Sequence, residues 1–172
     1  MILDISSFLS GEEIVFNVEG ELENKDIGKN LDDEFRIIGP IKFKGKIFKA
    51  DVERLIHLNI FYKYETKCAR CLQPTIKEIE TALDAKLEDY NGKYNDDYEE
   101  LEETVYYDDD LLDLEDYIYN EVISSLPMKT LCHKDCKGLC PKCGANLNTE
   151  SCDCIQEEID PRLEKLKDFF KN

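Results

Sequence analysis

The chain has 172 residues, 42 % of them hydrophobic, a formal net charge of −17 and eight cysteines. That length suits one domain with at most a small appendage, and it can bury a core without help from cysteines. The start, "MILDISSFLSGEEIVF", has no basic leader segment, and no run approaches about 20 apolar residues, so neither a signal peptide nor a membrane helix is expected and the chain is placed in the cytoplasm.

The first half reads as strands. "EIVFNVEGEL" alternates at Ile14, Phe16 and Val18, and "IKFKGKIFKADV" sets Ile41, Phe43 and Ile47 against Lys42, Lys44 and Lys46. "RLIHLNIFYKYETK" is rich in β-branched and aromatic residues. Gly39-Pro40 and Gly45 mark turns or bends. "TIKEIETALDAKL" is ambiguous: Ile76, Ile79, Leu83 and Leu87 keep helical spacing, yet the segment follows a turn and can pair back on the strand before it. These elements predict an antiparallel meander or small open barrel. Residues 89–110 form an acidic, tyrosine-rich insertion with one short strand at "TVYY". Leu111, Leu114, Ile118, Val122 and Leu126 then predict one long helix over about 111–126, capped by Asp113 or the aspartates before it and stopped by Pro127. After the cysteine-rich segment, Asp160 as N-cap and Pro161 at N1 open a short final helix with a Leu163, Leu166, Phe170 stripe. The expected class is α+β, with a mainly β domain over 1–130 and a zinc-ribbon-like segment and helix over 131–172 packed on the same domain.

Charge is uneven: residues 1–35 carry net −8, 36–77 net +7, 78–127 net −16 and 128–172 net zero. Two readings are open: a solvated acidic loop next to a mixed-charge sheet, or a chain whose overall field repels nucleic acid and attracts a basic partner, of which a ribosomal protein is one kind. The basic block, Lys42, Lys44, Lys46, Lys49 and Arg54, is the candidate surface for any direct RNA contact.

The cysteines are spaced Cys68-x2-Cys71, then Cys132-x3-Cys136-x3-Cys140-x2-Cys143, then Cys152-x-Cys154. In a reducing compartment such spacing points to metal ligands or redox thiols rather than disulfides. Structural zinc takes four thiolates in a tetrahedron, and the glycine after "CPKC" permits the positive φ that such knuckles need. Two partitions are open. In one, Cys68, Cys71, Cys132 and Cys136 form a long-range site and Cys140, Cys143, Cys152 and Cys154 a local one, with two zinc ions per chain. In the other, a single zinc takes four of the last six cysteines and "CARC" stays free. The first clips a long loop, where a crosslink contributes most. His133 has no vacant ligand position in the first scheme, and His57 lies in a strand-like run. "CARC" as a redox C-x-x-C lacks the βαβ setting expected of one. No H-E-x-x-H, P-loop, G-x-S-x-G or Cys–His nucleophile pattern occurs, so no enzymatic activity is expected and no catalytic residue is assigned.

"CARCL" at 68–72, "SLPM" at 125–128, "CHKDCKGLCPKCGANLN" at 132–148, "CDC" at 152–154 and "IDPRLEKLK" at 159–167 together resemble the YceD family, the large ribosomal RNA subunit accumulation proteins. The resemblance implies a part in the synthesis, processing or accumulation of 23S ribosomal RNA and hence in large-subunit biogenesis, with ribosomal or rRNA-processing proteins as partners. It transfers no catalytic residue. Some relatives keep the first cysteine pair without the "GLCPKCG…C-x-C" cluster, which implies a separable local site. The alternative from another class is a redox-switched zinc protein or chaperone that releases metal on oxidation.

Overall fold

A computed structural model describes residues 1–11, 13–24, 35–90 and 103–154. The final helix expected from Asp160 onward, and most of the acidic insertion, lie outside the described residues. By contact the chain divides into two units: Met1–Thr66 with Thr75–Met128, and Lys67–Pro74 with the chain from Lys129 onward.

The first unit is mostly sheet. Strands β1 (Ile2–Asp4), β2 (Val15–Leu22), β3 (Phe35–Ala50), β4 (Glu53–Lys67), β5 (Pro74–Asp89), β6 (Thr104–Tyr107) and β7 (Leu111–Asp113) are joined by helices α1 (Ser6–Ser10) and α2 (Glu115–Ser124). Five strands form one open sheet in the order β2-β3-β4-β5-β6; β1 and β7 pair separately. The sheet does not close, so the barrel alternative is set aside in favour of an open sheet. β2–β3 and β3–β4 are antiparallel, whereas β6 runs parallel to β5.

Alternation builds the core. On β4, Ile56, Leu58, Ile60, Tyr62 and Tyr64 are buried, while His57, Asn59, Phe61 and Lys63 face the other way. Each fully buried aliphatic side chain contributes about 1.5–3 kcal/mol. Ile41, Phe43 and Ile47 of β3 and Val18 of β2 join the same cluster, with Phe8 of α1 and Ile118 and Val122 of α2. The Tyr62 hydroxyl donates to the Val122 carbonyl (3.2 Å) and pairs with Ser125 Oγ (2.9 Å), which fixes α2 against β4.

Three expectations change and one open reading is settled. Ile14 is 73 % exposed and precedes β2, whose inward residues are Phe16, Val18 and Leu22. The ambiguous "TIKEIETALDAKL" is strand β5; Ala85, buried between Leu83 and Leu87, completes a period of two. Gly45 is not a turn: it sits inside β3, opposite Val18 and Leu58. Finally, the helix begins at Glu115, because Leu111–Asp113 pair with Asp4–Ile2 as β7. Cross-strand pairing there overrides local helical spacing, and the N-cap is Leu114 with no side-chain cap bond rather than an aspartate; Asp113, one residue earlier in β7, only accepts the Glu115 N–H at 3.1 Å. Gly39, at φ +71°, lies with Pro40 in the register shift between Ile38 and Lys42, where a residue without an N–H is tolerated.

Candidate metal centres

The second unit is built around cysteines. The loop between β4 and β5 carries "CARC", and its turn is closed by Cys68 N–H on the Gln73 carbonyl and Leu72 N–H on the Cys68 carbonyl, both 2.9 Å. "CPKCG" repeats that turn: Gly144 N–H donates to the Cys140 carbonyl at 2.9 Å. Gly144 takes φ +75°, and Leu72 takes the same left-handed region at +60°. A bulky residue there costs about 1–2 kcal/mol, so the knuckle holds Leu72 against its preference.

Two groups of four sulfurs result. Cys68, Cys71, Cys132 and Cys136 lie within 4.8 Å of one another, and so do Cys140, Cys143, Cys152 and Cys154. Cys68 Sγ is 3.8 Å from Cys136 Sγ, and Cys71 Sγ is 3.6 Å from Cys132 Sγ. A tetrahedral zinc with Zn–S bonds of about 2.3 Å sets its sulfurs about 3.8 Å apart. All eight thiols are free of disulfides. Either group could hold a metal ion. His133 is exposed and belongs to neither group.

The donor chemistry fits a cation. Burial opposes ionisation of Cys68, but the backbone N–H groups of Cys132, Cys71 and Arg70 outweigh it and draw the thiol down to about 6. The Cys143 and Lys142 N–H groups draw Cys140 down to about 6 as well. In each group another thiol moves the opposite way. Burial and the thiols of Cys136, Cys71 and Cys68 push Cys132 up to about 12. Hydrogen bonding with Cys143, then burial, pushes Cys154 up to about 12. Four sulfurs this close cannot all be anionic unless a cation sits among them.

The two groups differ in exposure. Cys68, Cys71 and Cys136 are buried, whereas Cys143 is exposed and Cys152 and Cys154 are half-buried. Residues that spacing could not reveal support the first group. Arg70 Nη1 donates to the Cys136 carbonyl at 2.7 Å, and Leu139 N–H donates to the Arg70 carbonyl at 3.1 Å. Gly138, at φ +79°, lets this approach happen: a Cβ there would come within 3.1 Å of the Arg70 carbonyl oxygen. Asn148 Nδ2 donates to Cys136 Sγ at 3.3 Å while its Oδ1 accepts the Lys137 N–H at 2.8 Å. The Leu139–Asn146 bridge and the Leu147 N–H on the Gly138 carbonyl close the strip that carries Asn148. The same strip holds Cys140 and Cys143, so one short hairpin serves both groups. Asn and Gly in "KGLC…GANLN" were the available signal, but their partners are set only by the folded loop.

The basic block is elsewhere, in the first unit. Lys42, Lys44 and Lys46 are exposed on β3 opposite Glu21, Glu19 and Asn17. Lys44 Nζ is 3.9 Å from Glu19. Lys49 Nζ lies 5.2 Å from the Phe8 ring centroid, and Arg54 donates to the Tyr107 hydroxyl at 2.7 Å. Lys42, Lys44 and Lys46 thus form one exposed row on β3 beside Glu21 and Glu19, while Lys49 and Arg54 lie against the Phe8 and Tyr107 rings. His57 Nδ1 pairs with Asp84 on the same sheet.

Comparison with known proteins rests on the same segment. The family described as "Large ribosomal RNA subunit accumulation protein YceD" matches residues 56–170. The chain belongs to the YceD family. The match takes in β4 from Ile56 onward, β5, α2 and all eight cysteines. An uncharacterized protein of Mycobacterium tuberculosis is 39 % identical over 104 residues, 60 % of this chain and 49 % of that protein. An uncharacterized protein of Mycobacterium leprae is 31 % identical over 131 residues, 76 % of this chain and 59 % of its own length. The large ribosomal RNA subunit accumulation protein YCED homolog 1, chloroplastic, of Arabidopsis thaliana is 43 % identical over 49 residues, 28 % of this chain and 15 % of its own. The chain spans about half the length of the mycobacterial relative. No solved structure matches. Among the described residues no helix is long and apolar enough to cross a membrane.

Proposed function

We propose that this YceD-family chain is a non-enzymatic, cytoplasmic zinc-binding factor that supports 23S ribosomal RNA synthesis, processing or accumulation and large-subunit biogenesis. The observation that carries the reading is the pair of four-cysteine groups inside the family-matched segment, with sulfur spacing suited to tetrahedral zinc. Two zinc ions per chain are assigned, one held by Cys68, Cys71, Cys132 and Cys136, the other by Cys140, Cys143, Cys152 and Cys154. A centre with four thiolates leaves no position for a substrate water, so the metal shapes a zinc-ribbon-like surface rather than performing chemistry.

Its route to ribosomal RNA is contact with basic ribosomal or rRNA-processing proteins. Net charge is −17, each four-thiolate zinc centre adds about −2, and phosphate contact requires lysine and arginine. Binding of the zinc-loaded chain to large-subunit rRNA fragments and to purified basic large-subunit proteins, each across a salt series, tests this. The basic proteins are expected to bind, more weakly as salt rises. Tight, salt-sensitive RNA binding by the chain alone, lost when Lys42, Lys44 and Lys46 are neutralised, overturns it.

A further inference from the structure

We infer that the outer edge of β2 is a docking strip for an extended, lysine- or arginine-rich segment of a partner protein, which adds to the sheet as a sixth strand. The inference rests on the reading that the chain works through protein contact; it does not depend on the metal centres.

β2 stands at the end of the five-stranded order, and among the described residues no strand pairs with its outer side. It is eight residues long and keeps unbroken register with β3 from Val15–Phe48 to Leu22–Ile41. Proteins usually protect such an edge with lysine, proline, a bulge or a very short strand. β2 has no lysine, no proline and no register shift; its only charged residues are the exposed Glu19 and Glu21, which discourage self-pairing but not a basic strand. An open, regular edge offers a row of backbone donors and acceptors to an incoming strand.

Charge selects the occupant. Glu19 and Glu21 are exposed on the solvent face of β2, and the exposed Glu13 and Glu23 flank its ends. The next column inward is basic: Lys44 opposes Glu19 and Lys42 opposes Glu21. The Glu19–Lys44 pair is loose at 3.9 Å with both side chains 78 % exposed, so Glu19 is available to a second cation. Acid on β2 and base on β3 call for base again at every second residue of an added strand, where opposite-charge cross-strand pairs stabilise. A second copy of this chain is the wrong occupant, because pairing through β2 brings the Glu19 and Glu21 rows of both copies together.

The test uses the full zinc-loaded chain and a labelled peptide that alternates lysine with valine or threonine. Fluorescence anisotropy reads affinity, and amide exchange by mass spectrometry locates the site. Binding is expected to protect residues 15–22. The E19K/E21K variant is expected to bind this peptide about tenfold more weakly and to gain binding to the peptide with glutamate in place of lysine. N-methylation of the alternate peptide residues whose N–H groups face β2, identified by methylating each of the two alternate sets in turn, is expected to abolish binding, because it removes the N–H groups that a ladder needs. Equal binding of both N-methylated peptides, protection outside β2, or dimerisation through β2 each overturns the inference. If a basic partner captured from cells binds wild type and E19K/E21K equally, strand addition is wrong while protein contact stands.

Discussion

Gly45→Ala is expected to lower the stability of the sheet by about 3 kcal/mol or more, among the largest effects of any single substitution here. A Cβ built on Gly45 lies 1.9 Å from the His57 carbonyl oxygen and 2.7 Å from Leu58 Cα. Those are backbone atoms of β4, so no rotamer change relieves the overlap; the two strands must separate. Gly45 also pairs with Val18 of β2, so the disturbance reaches both neighbours. Gly39→Ala is the internal control. Its Cβ meets nothing within 4 Å, and the strain of φ +71° costs about 1 kcal/mol. Urea unfolding followed by circular dichroism separates them: with a slope of about 2 kcal/mol/M, Gly45→Ala moves the midpoint down by about 1.5 M and Gly39→Ala by about a third of that. Equal midpoints for the two variants would contradict the close strand approach.

Cys136→Ser and Cys143→Ser are each expected to remove one zinc ion, with different consequences for the rest of the unit. Cys136 is 1 % exposed and shares its group with Cys68, Cys71 and Cys132. Its loss leaves three thiols without a complete tetrahedron, and native-state alkylation should then reach Cys68 and Cys71. The local group, drawn from residues 140–154, is expected to keep its ion. Cys143 is exposed, and its loss empties the local group. That change loosens the hairpin that delivers the Asn148 amide to Cys136. Supporting partners of this kind are worth about 10–100-fold in metal affinity. Chelator competition should therefore find the remaining zinc of Cys143→Ser about 10–100-fold weaker than in wild type, with Cys68 and Cys71 still protected when zinc is in excess. Equal chelator resistance would show that the Asn148 amide does not support the Cys136 group.

Much of the sheet is legible in the sequence because alternation and burial coincide there. Ile41, Phe43 and Ile47 against three lysines read directly as β3, and "TVYY" reads as β6. Three things were not legible. The parallel pairing of β6 with β5 depends on where the intervening chain returns. β7 replaces the first turn of the expected helix because β1 is available to pair with it, a contact more than a hundred residues distant in sequence. Gly45 carries the same letter in a bend and in a close strand approach, and only the position of β4 separates them. In the two cysteine groups, spacing marks the cysteine pairs but not which distant pairs meet. That is set by backbone bonds such as Ala69 N–H to the Thr130 carbonyl at 2.8 Å, and by Arg70 and Asn148, whose partners no motif announces.

The eight cysteines are proposed to form two separate zinc centres. Native mass spectrometry of the chain purified without added chelator tests this most directly. A dominant species with two zinc ions per chain is expected. A dominant species with one ion, unchanged when zinc is supplied in excess, would contradict it.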